Sequence, residues 1–104
     1  MIKTINIDTL TWFDKNNGVT YFSSLITTDI NTGKGKQYRL PFQSGYGSHD
    51  YYEALRLLAD KGVVRSYNSA FKRNRKGTLT IHNTQRPALK REVIAHGKDS
   101  ILTN

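Results

Sequence analysis

The dipeptide Asn17-Gly18 constrains the fold of this chain more than any other short segment. Asn and Gly both tolerate the positive φ angles of a tight hairpin turn, and runs of β-branched and aromatic residues lie on either side of them. Residues 3–13 and residues 19–30 mix such residues with polar ones at short period, which is typical of half-buried strands. The sequence therefore predicts that the fold begins with two antiparallel strands.

A third strand is predicted over residues 36–42, after a polar, glycine-rich turn at residues 31–35. Apolar residues alternate with polar ones in this strand, which predicts a single apolar face. That face carries Tyr38, Leu40 and Phe42. Proline cannot donate a backbone hydrogen bond to a neighbouring strand, so Pro41 favours a position at the edge of the sheet. Because an edge offers unpaired backbone groups, a homodimer through it is one candidate mode of association.

One amphipathic helix is predicted to start at Ser48 or Asp50 and to end near Gly62. Either side chain can cap the free N–H groups of a helix start, and Asp50 with Glu53 has the spacing of a capping-box variant. Apolar residues recur at helical spacing and predict one buried face. That face carries Tyr51, Ala54, Leu55, Leu58 and Ala59.

The loop Gly45-Tyr46-Gly47 precedes this helix, and two interpretations of it stay open. Its glycines expose backbone N–H groups where a helix N-terminus favours anions, so it could contact phosphate. It lacks the lysine of a phosphate-binding P-loop, however. The favoured interpretation is a structural turn between a strand and a helix.

The second half of the chain has weaker patterns. Residues 63–71 fit either a helix or a strand, and residues 72–77 are predicted to form a basic turn or loop. A short strand is predicted over residues 78–82 and a short basic helix over residues 83–97, with Pro87 in its first turn. Three cations would share one side of that helix: Arg86, Lys90 and Arg91.

Together these elements predict an α+β fold, a three-stranded antiparallel meander packed on one amphipathic helix and followed by a basic strand and helix extension. At 104 residues the chain fits one compact domain. We expect residues 1–64 to form the unit of sheet and helix. Residues 65–104 are expected to form the basic extension, packed on the same domain.

Charge is distributed unevenly along the chain. Residues 1–60 carry six basic and six acidic residues, whereas residues 61–98 carry ten basic residues and one acidic residue, Glu92. The net charge is +8, and such a block favours a polyanionic partner. We expect that partner to be nucleic acid, either DNA or RNA. The expected phosphate contacts are Arg65, Lys72, Arg73, Arg75, Lys76, Arg86, Lys90 and Arg91, and the candidate stacking residues are Tyr67 and Phe71.

Composition and motif content disfavour several other functions. The chain has no cysteine, so disulfides, thiolate metal sites and a cysteine nucleophile are ruled out. His49 and Asp50 are adjacent, but one such pair does not make a metal site. We therefore expect no metal, no cofactor and no enzymatic activity. No apolar run is long enough to cross a membrane, so we expect a cytoplasmic protein without a membrane partner.

The segment Thr11–Gly62 resembles small phage-encoded proteins of unknown function, through the pattern W-x-D-K-x-N-G…YFS…LPF…GYG…YEA. More loosely, three strands followed by a helix are similar to the plant ethylene-response-factor DNA-binding domain and the arm-binding domain of transposon integrases. Those families dock a sheet face into the major groove, through Arg and Trp on the second strand. This chain has Ser23, Ser24, Thr27 and Thr28 there. Phosphate contacts from the basic second half therefore fit the charges better.

Two functional hypotheses remain. The first is a small phage-type protein that binds nucleic acid by phosphate contacts from its basic C-terminal region. The alternative is a phage-encoded inhibitor of a host defence or nucleic-acid-processing complex, whose partner would be a host protein or a ribonucleoprotein. Aromatic residues anchor many protein interfaces, and Tyr46, Tyr51 and Tyr52 would do so here.

Overall fold

The computed structural model of the protein describes residues 2–29 and 35–98, and the turn predicted at residues 31–35 lies almost entirely outside them. The described chain is an α+β fold. Its strands are β1 (Thr4–Asp14), β2 (Val19–Thr28), β3 (Lys36–Ser44) and β4 (Thr80–Pro87), and its helices are α1 (His49–Asp60), α2 (Tyr67–Lys76) and α3 (Lys90–His96).

The strands form one mixed sheet in the order β3-β2-β1-β4. β1 pairs antiparallel with β2, and β2 with β3, which confirms that part of the prediction. β4 pairs parallel with β1, from Thr80 beside Thr4 to Pro87 beside Thr11. The predicted three-stranded meander is therefore incomplete, because the basic second half contributes a fourth strand to the same sheet.

The β1–β2 turn has the structure that its sequence predicts. The Asp14 carboxylate accepts the backbone N–H groups of Asn16 at 3.0 Å and Asn17 at 3.4 Å. The Gly18 N–H donates to the Asp14 carbonyl at 2.8 Å, and Gly18 has a φ of 66°, in the left-handed region that favours glycine. The hairpin prediction is confirmed at this point.

Both faces of the sheet are covered. One face packs on α1 and α2, and the buried residues of that core include Ile5, Ile7, Phe22, Ile26, Ala54, Leu55, Leu58 and Ala70. On α3, the Val93 carbonyl accepts a hydrogen bond from the Ser23 hydroxyl at 2.5 Å. Ser23 directly follows Phe22, which belongs to that core, and neighbouring residues of a strand point to opposite faces. Ser23 therefore points away from α1 and α2, as does Leu10, with which it pairs. It follows that α3 lies on the side of the sheet opposite α1 and α2.

The prediction that Phe42 shares a face with Tyr38 and Leu40 is wrong. The register between β2 and β3 shifts at residues 22–24, which places one extra residue in β3. Such a bulge moves the following side chains to the other face. The Phe42 ring consequently stacks on Tyr21, with centroids 4.9 Å apart and planes at 6°.

α1 forms where the sequence predicts it, but Asp50 does not cap its backbone. The Asp50 side chain points inward and is 2% exposed. It accepts hydrogen bonds from the Thr9 hydroxyl at 2.6 Å and from the Gln85 amide at 2.8 Å. The Asp50 side chain thereby fixes the first turn of α1 to β1 and β4, and it does not accept a hydrogen bond from the backbone N–H groups of that turn.

The basic segment predicted to be a turn or loop, residues 72–77, is instead the second half of α2 together with its C-cap. The Ser66 side chain accepts the Ser69 backbone N–H at 3.1 Å and caps the start of the helix. Gly77 ends it in the left-handed conformation, with a φ of 81°. Ala70 is its buried residue, so caps stabilise a helix that has little apolar surface to bury.

The prediction that Arg86 shares a helix with Lys90 and Arg91 is also wrong. Arg86 lies on β4, whereas α3 begins only at Lys90. Pairing with β1 keeps this segment extended as far as Ala88, whose N–H donates to the Thr11 carbonyl at 2.8 Å. The strand is therefore longer, and the helix shorter, than the local pattern predicts.

Candidate nucleic-acid interface

One face of α2 is exposed and carries three cations. Its exposed residues recur at positions i, i+3, i+4, i+7 and i+8 of the helix, so they lie on one side. They are Asn68, Phe71, Lys72, Arg75 and Lys76, and we call this surface the α2 face. α2 contains no acidic residue. Among the described residues, no ion pair involves the three cations of the α2 face.

The three cations border a shallow depression near the end of α2. Lys72, Arg75 and Lys76 line a volume of about 320 Å³. The C-terminus of a helix carries partial negative charge, which stabilises the basic residues of the last turn. Arg65 is exposed in the connection just before the same helix. The helix thus tolerates a concentration of positive charge that would attract phosphate.

Arg73 lies among these cations in sequence but has a structural role. Its guanidinium donates to the Ile2 carbonyl at 2.7 Å and to the Thr78 carbonyl at 3.3 Å. These bonds tie α2 to the segment before β1 and to the segment before β4. The Arg73 side chain is therefore directed at backbone carbonyls and not at the α2 face.

Three aromatic rings cross from α1 to α2 beside the α2 face. Tyr52 and Tyr67 meet edge to face with centroids 4.9 Å apart, and Tyr67 and Phe71 stack at 6.1 Å. Tyr67 packs against the core, whereas Tyr52 is 42% exposed and Phe71 is 40% exposed. The Arg56 guanidinium lies 5.5 Å from the centroid of Tyr52, within cation–π range. We call these four side chains the ring strip.

The ring strip combines residues that the sequence assigned to different sites. The sequence predicts that Tyr67 and Phe71 stack on bases, and it assigns Tyr52 to an alternative protein interface. Arg56 was not assigned to a site, although it follows Tyr52 by four residues and such pairs lie together on a helix. That spacing is the signal by which the sequence could have added it. The contact with Tyr67 depends on the packing of two helices and has no local signal.

Three of the predicted phosphate contacts lie on the other side of the sheet. Arg86 is 3.8 Å from the Asp8 carboxylate, and this pair is on the face that α3 covers. Lys90 Nζ lies 5.2 Å from the centroid of the Trp12 ring, and Arg91 is exposed on α3. The structure therefore divides the predicted cations into two groups, with the sheet between them.

The loop at residues 45–47 packs closely on the start of α1. A Cβ atom on Gly45 would lie 2.6 Å from a ring carbon of His49 and 2.7 Å from a ring carbon of Phe22, so only glycine fits there. The Gly45 N–H donates to the Thr20 carbonyl at 3.0 Å. These contacts support the interpretation of the loop as a structural turn.

An open cleft of about 920 Å³ lies beside this loop. Its walls include Ser44, Tyr46, Ser48, His49 and Tyr52. Tyr46 is 84% exposed, whereas Tyr51 packs against the core. Of the three tyrosines predicted for a protein interface, Tyr46 and Tyr52 are thus accessible to a partner.

No protein-family model, curated protein or solved structure matches this chain. In the part of the chain that the structure describes, no three His, Asp or Glu side chains are grouped so that they could hold a metal ion. None of the helices found there is both long enough and apolar enough to cross a membrane. Charge and geometry are therefore the basis for assigning a function.

Proposed function

We propose that this protein binds nucleic acid through the α2 face, with Lys72, Arg75 and Lys76 contacting backbone phosphates. The supporting observation is that these three cations share one exposed helix face, in a helix without acidic residues. Arg65 is a further exposed cation, just before the start of α2.

The arrangement favours a polyanionic ligand over a purely solubilising surface. Solubilising surfaces usually intersperse both signs of charge. Here two of the described acidic side chains pair with arginines outside the α2 face: Glu53 lies 3.5 Å from Arg56, and Asp8 lies 3.8 Å from Arg86. A patch of one sign on a capped helix presents several positive charges on one side to a phosphate backbone.

Contacts of this kind position nucleic acid without reading its sequence. Binding should therefore be largely independent of sequence and should weaken as salt rises, because each phosphate contact releases counterions. Three contacts correspond to a slope of about −2 to −3 in a plot of log affinity against log salt concentration.

The test is fluorescence anisotropy with labelled DNA and RNA over a series of salt concentrations. We expect Arg75→Ala to weaken binding and to make the salt slope shallower by about 1. The matched control is Arg91→Ala, since Arg91 is also exposed but lies on α3. Equal losses from the two variants would mean that net charge attracts nucleic acid without a defined site. A lack of binding at low salt would exclude the proposed function.

A second candidate function is supported by the exposure of Tyr46 beside the open cleft. In that case the protein would inhibit a host complex by direct contact, and Tyr46→Ser would abolish inhibition without changing nucleic-acid affinity. Arg75→Ala should then leave inhibition intact. The sequence resemblance to phage-encoded proteins is compatible with both functions, so the paired variants decide between them.

A further inference from the structure

We infer that the nucleic acid bound at the α2 face is single-stranded and that its unpaired bases stack on Phe71 and Tyr52, an inference that rests on the proposed function. The ring strip lies next to the phosphate-binding cations, and its two outer rings are open to solvent. Stacking on aromatic rings is a common means by which proteins hold unpaired bases.

The two outer rings of the strip, Tyr52 and Phe71, are partly exposed. Tyr67, between them, is packed against the core, so it fixes the positions of its neighbours. Phe71 and Tyr52 each touch Tyr67 while leaving about two-fifths of their surface exposed, 40% and 42% respectively. Phe71, which is held by Tyr67 on one side, can bind a planar ligand on its open side with little further loss of side-chain freedom. On Tyr52, a stacked base would displace the Arg56 guanidinium, which lies 5.5 Å from the centroid of that ring.

Cations lie at both ends of the row of three rings in the ring strip. Phe71 precedes Lys72 directly and lies one helical turn before Arg75, on the same face. At the other end Arg56 lies over Tyr52, and its side chain is 55% exposed. Glu53 is 3.5 Å from Arg56 and neutralises part of that charge, so the stronger phosphate site is at the α2 end. A strand could place its phosphates on these cations and its bases on the rings between them.

A duplex would not use this arrangement. Its bases are paired and stacked on one another, so exposed rings at a protein surface gain contacts mainly from bases that are unpaired. Cations alone would bind a duplex and a single strand through the same phosphates. The rings, and not the charges, are therefore what favours the single strand.

Three probes of equal length separate these possibilities: a thymidine single strand, an abasic single strand with the same number of phosphates, and a duplex. We expect the thymidine strand to bind more tightly than the abasic strand. Phe71→Leu and Tyr52→Leu should each weaken binding of the thymidine strand by roughly 5- to 100-fold, as expected for loss of one stacked base, and should leave binding of the abasic strand unchanged. Phe71→Trp should retain tight binding. Arg75→Ala should weaken binding of both single strands.

The matched control is Phe42→Leu, the same chemical change on the opposite face of the sheet, which should leave all three affinities unchanged. Thermal denaturation checks that each variant is folded. Equal affinity for thymidine and abasic strands, with no effect of Phe71→Leu, would overturn the inference while leaving the proposed function intact. A preference for the duplex would overturn it in the same way. Failure of all three probes to bind would instead overturn the proposed function itself.

Discussion

The Thr9 hydroxyl donates a hydrogen bond to the Asp50 carboxylate at 2.6 Å, and both residues are buried. Ser24 Oγ lies 2.7 Å from the Thr9 oxygen, and Gln85 donates to the other Asp50 oxygen at 2.8 Å. Because Thr9 donates its proton to the carboxylate, Ser24 must donate to Thr9. Buried polar groups are costly unless they are paired, so this network fixes the position of α1 on three strands of the sheet.

Loss of the Asp50 carboxylate should destabilise the whole fold. In Asp50→Ala, the Thr9 hydroxyl loses its acceptor, and the Gln85 amide keeps only the Gly47 carbonyl as an acceptor. We expect the free energy of unfolding to fall by about 2–3 kcal/mol, measured by urea denaturation. Asp60→Ala is the control, because Asp60 is exposed at the end of the same helix and its loss should change stability by less than about 0.5 kcal/mol. Similar losses in both variants would show that the network is not stabilising.

The docking of α3 should depend on Gly97, for a steric and not a conformational reason. Gly97 has a φ of −87°, which any residue can adopt. A Cβ atom there would lie 2.8 Å from the Leu40 carbonyl oxygen and 2.9 Å from the Phe42 nitrogen, both backbone atoms that cannot move aside. We expect Gly97→Ala to lower the free energy of unfolding by about 1–3 kcal/mol. Ala95→Ser, at an exposed site on α3, should have almost no effect in the same urea titration.

The parts of the fold that sequence predicts well are those determined by neighbouring residues. The β1–β2 hairpin follows from its turn, and α1 follows from its apolar period. β4 could not be placed in the same way, because its pairing depends on β1, more than 70 residues earlier, with Thr80 beside Thr4. The side on which Phe42 lies depends on a one-residue register shift that alternation does not reveal.

In the candidate site too, the sequence predicts what depends on composition and neighbouring residues, and it does not predict what depends on long-range packing. Charge counting predicts a basic surface, because charge is a property of the sequence alone. It does not predict that the sheet separates Arg86 and Lys90 from the α2 face, since this depends on the crossing of the chain from α2 through β4 to α3. Residues 72–76 are polar and show no apolar period, so the sequence gives no sign of a helix there. The helix is stabilised by its caps, Ser66 and Gly77, and both residue types are also common in loops.

Asp29 should make stability depend on pH in the acid range. Its carboxylate accepts the Lys3 backbone N–H at 2.8 Å and the Thr4 N–H at 3.1 Å. The hydrogen bond from Lys3, opposed by burial and assisted by the bond from Thr4, lowers the pKa of Asp29 below its usual value of 3.8. A lowered pKa in the folded state means that the stabilisation is complete above the unfolded-state pKa and disappears as pH falls through the folded-state pKa.

We therefore expect an NMR titration of the Asp29 carboxyl carbon to give a midpoint below 3.8. Asp29→Asn should reduce stability at neutral pH and should remove part of its decline in acid. Asn is the suitable replacement because residue 29 has a φ of 47°, which Asn tolerates better than Ala does. A midpoint at or above the usual value would contradict the assignment.

Arg73 and Arg75 are two residues apart on α2, and we expect their replacement by alanine to have opposite consequences. Arg73→Ala removes the donor to the Ile2 and Thr78 carbonyls, so it should lower the free energy of unfolding by about 1–3 kcal/mol while changing nucleic-acid affinity less. Arg75→Ala removes an exposed side chain of the α2 face, so stability should change by less than about 0.5 kcal/mol while affinity falls several-fold. Urea denaturation and anisotropy on the same two variants measure both quantities. Because both substitutions remove one positive charge from the same helix, a general loss of charge would weaken binding equally, and only the assigned geometry separates the two.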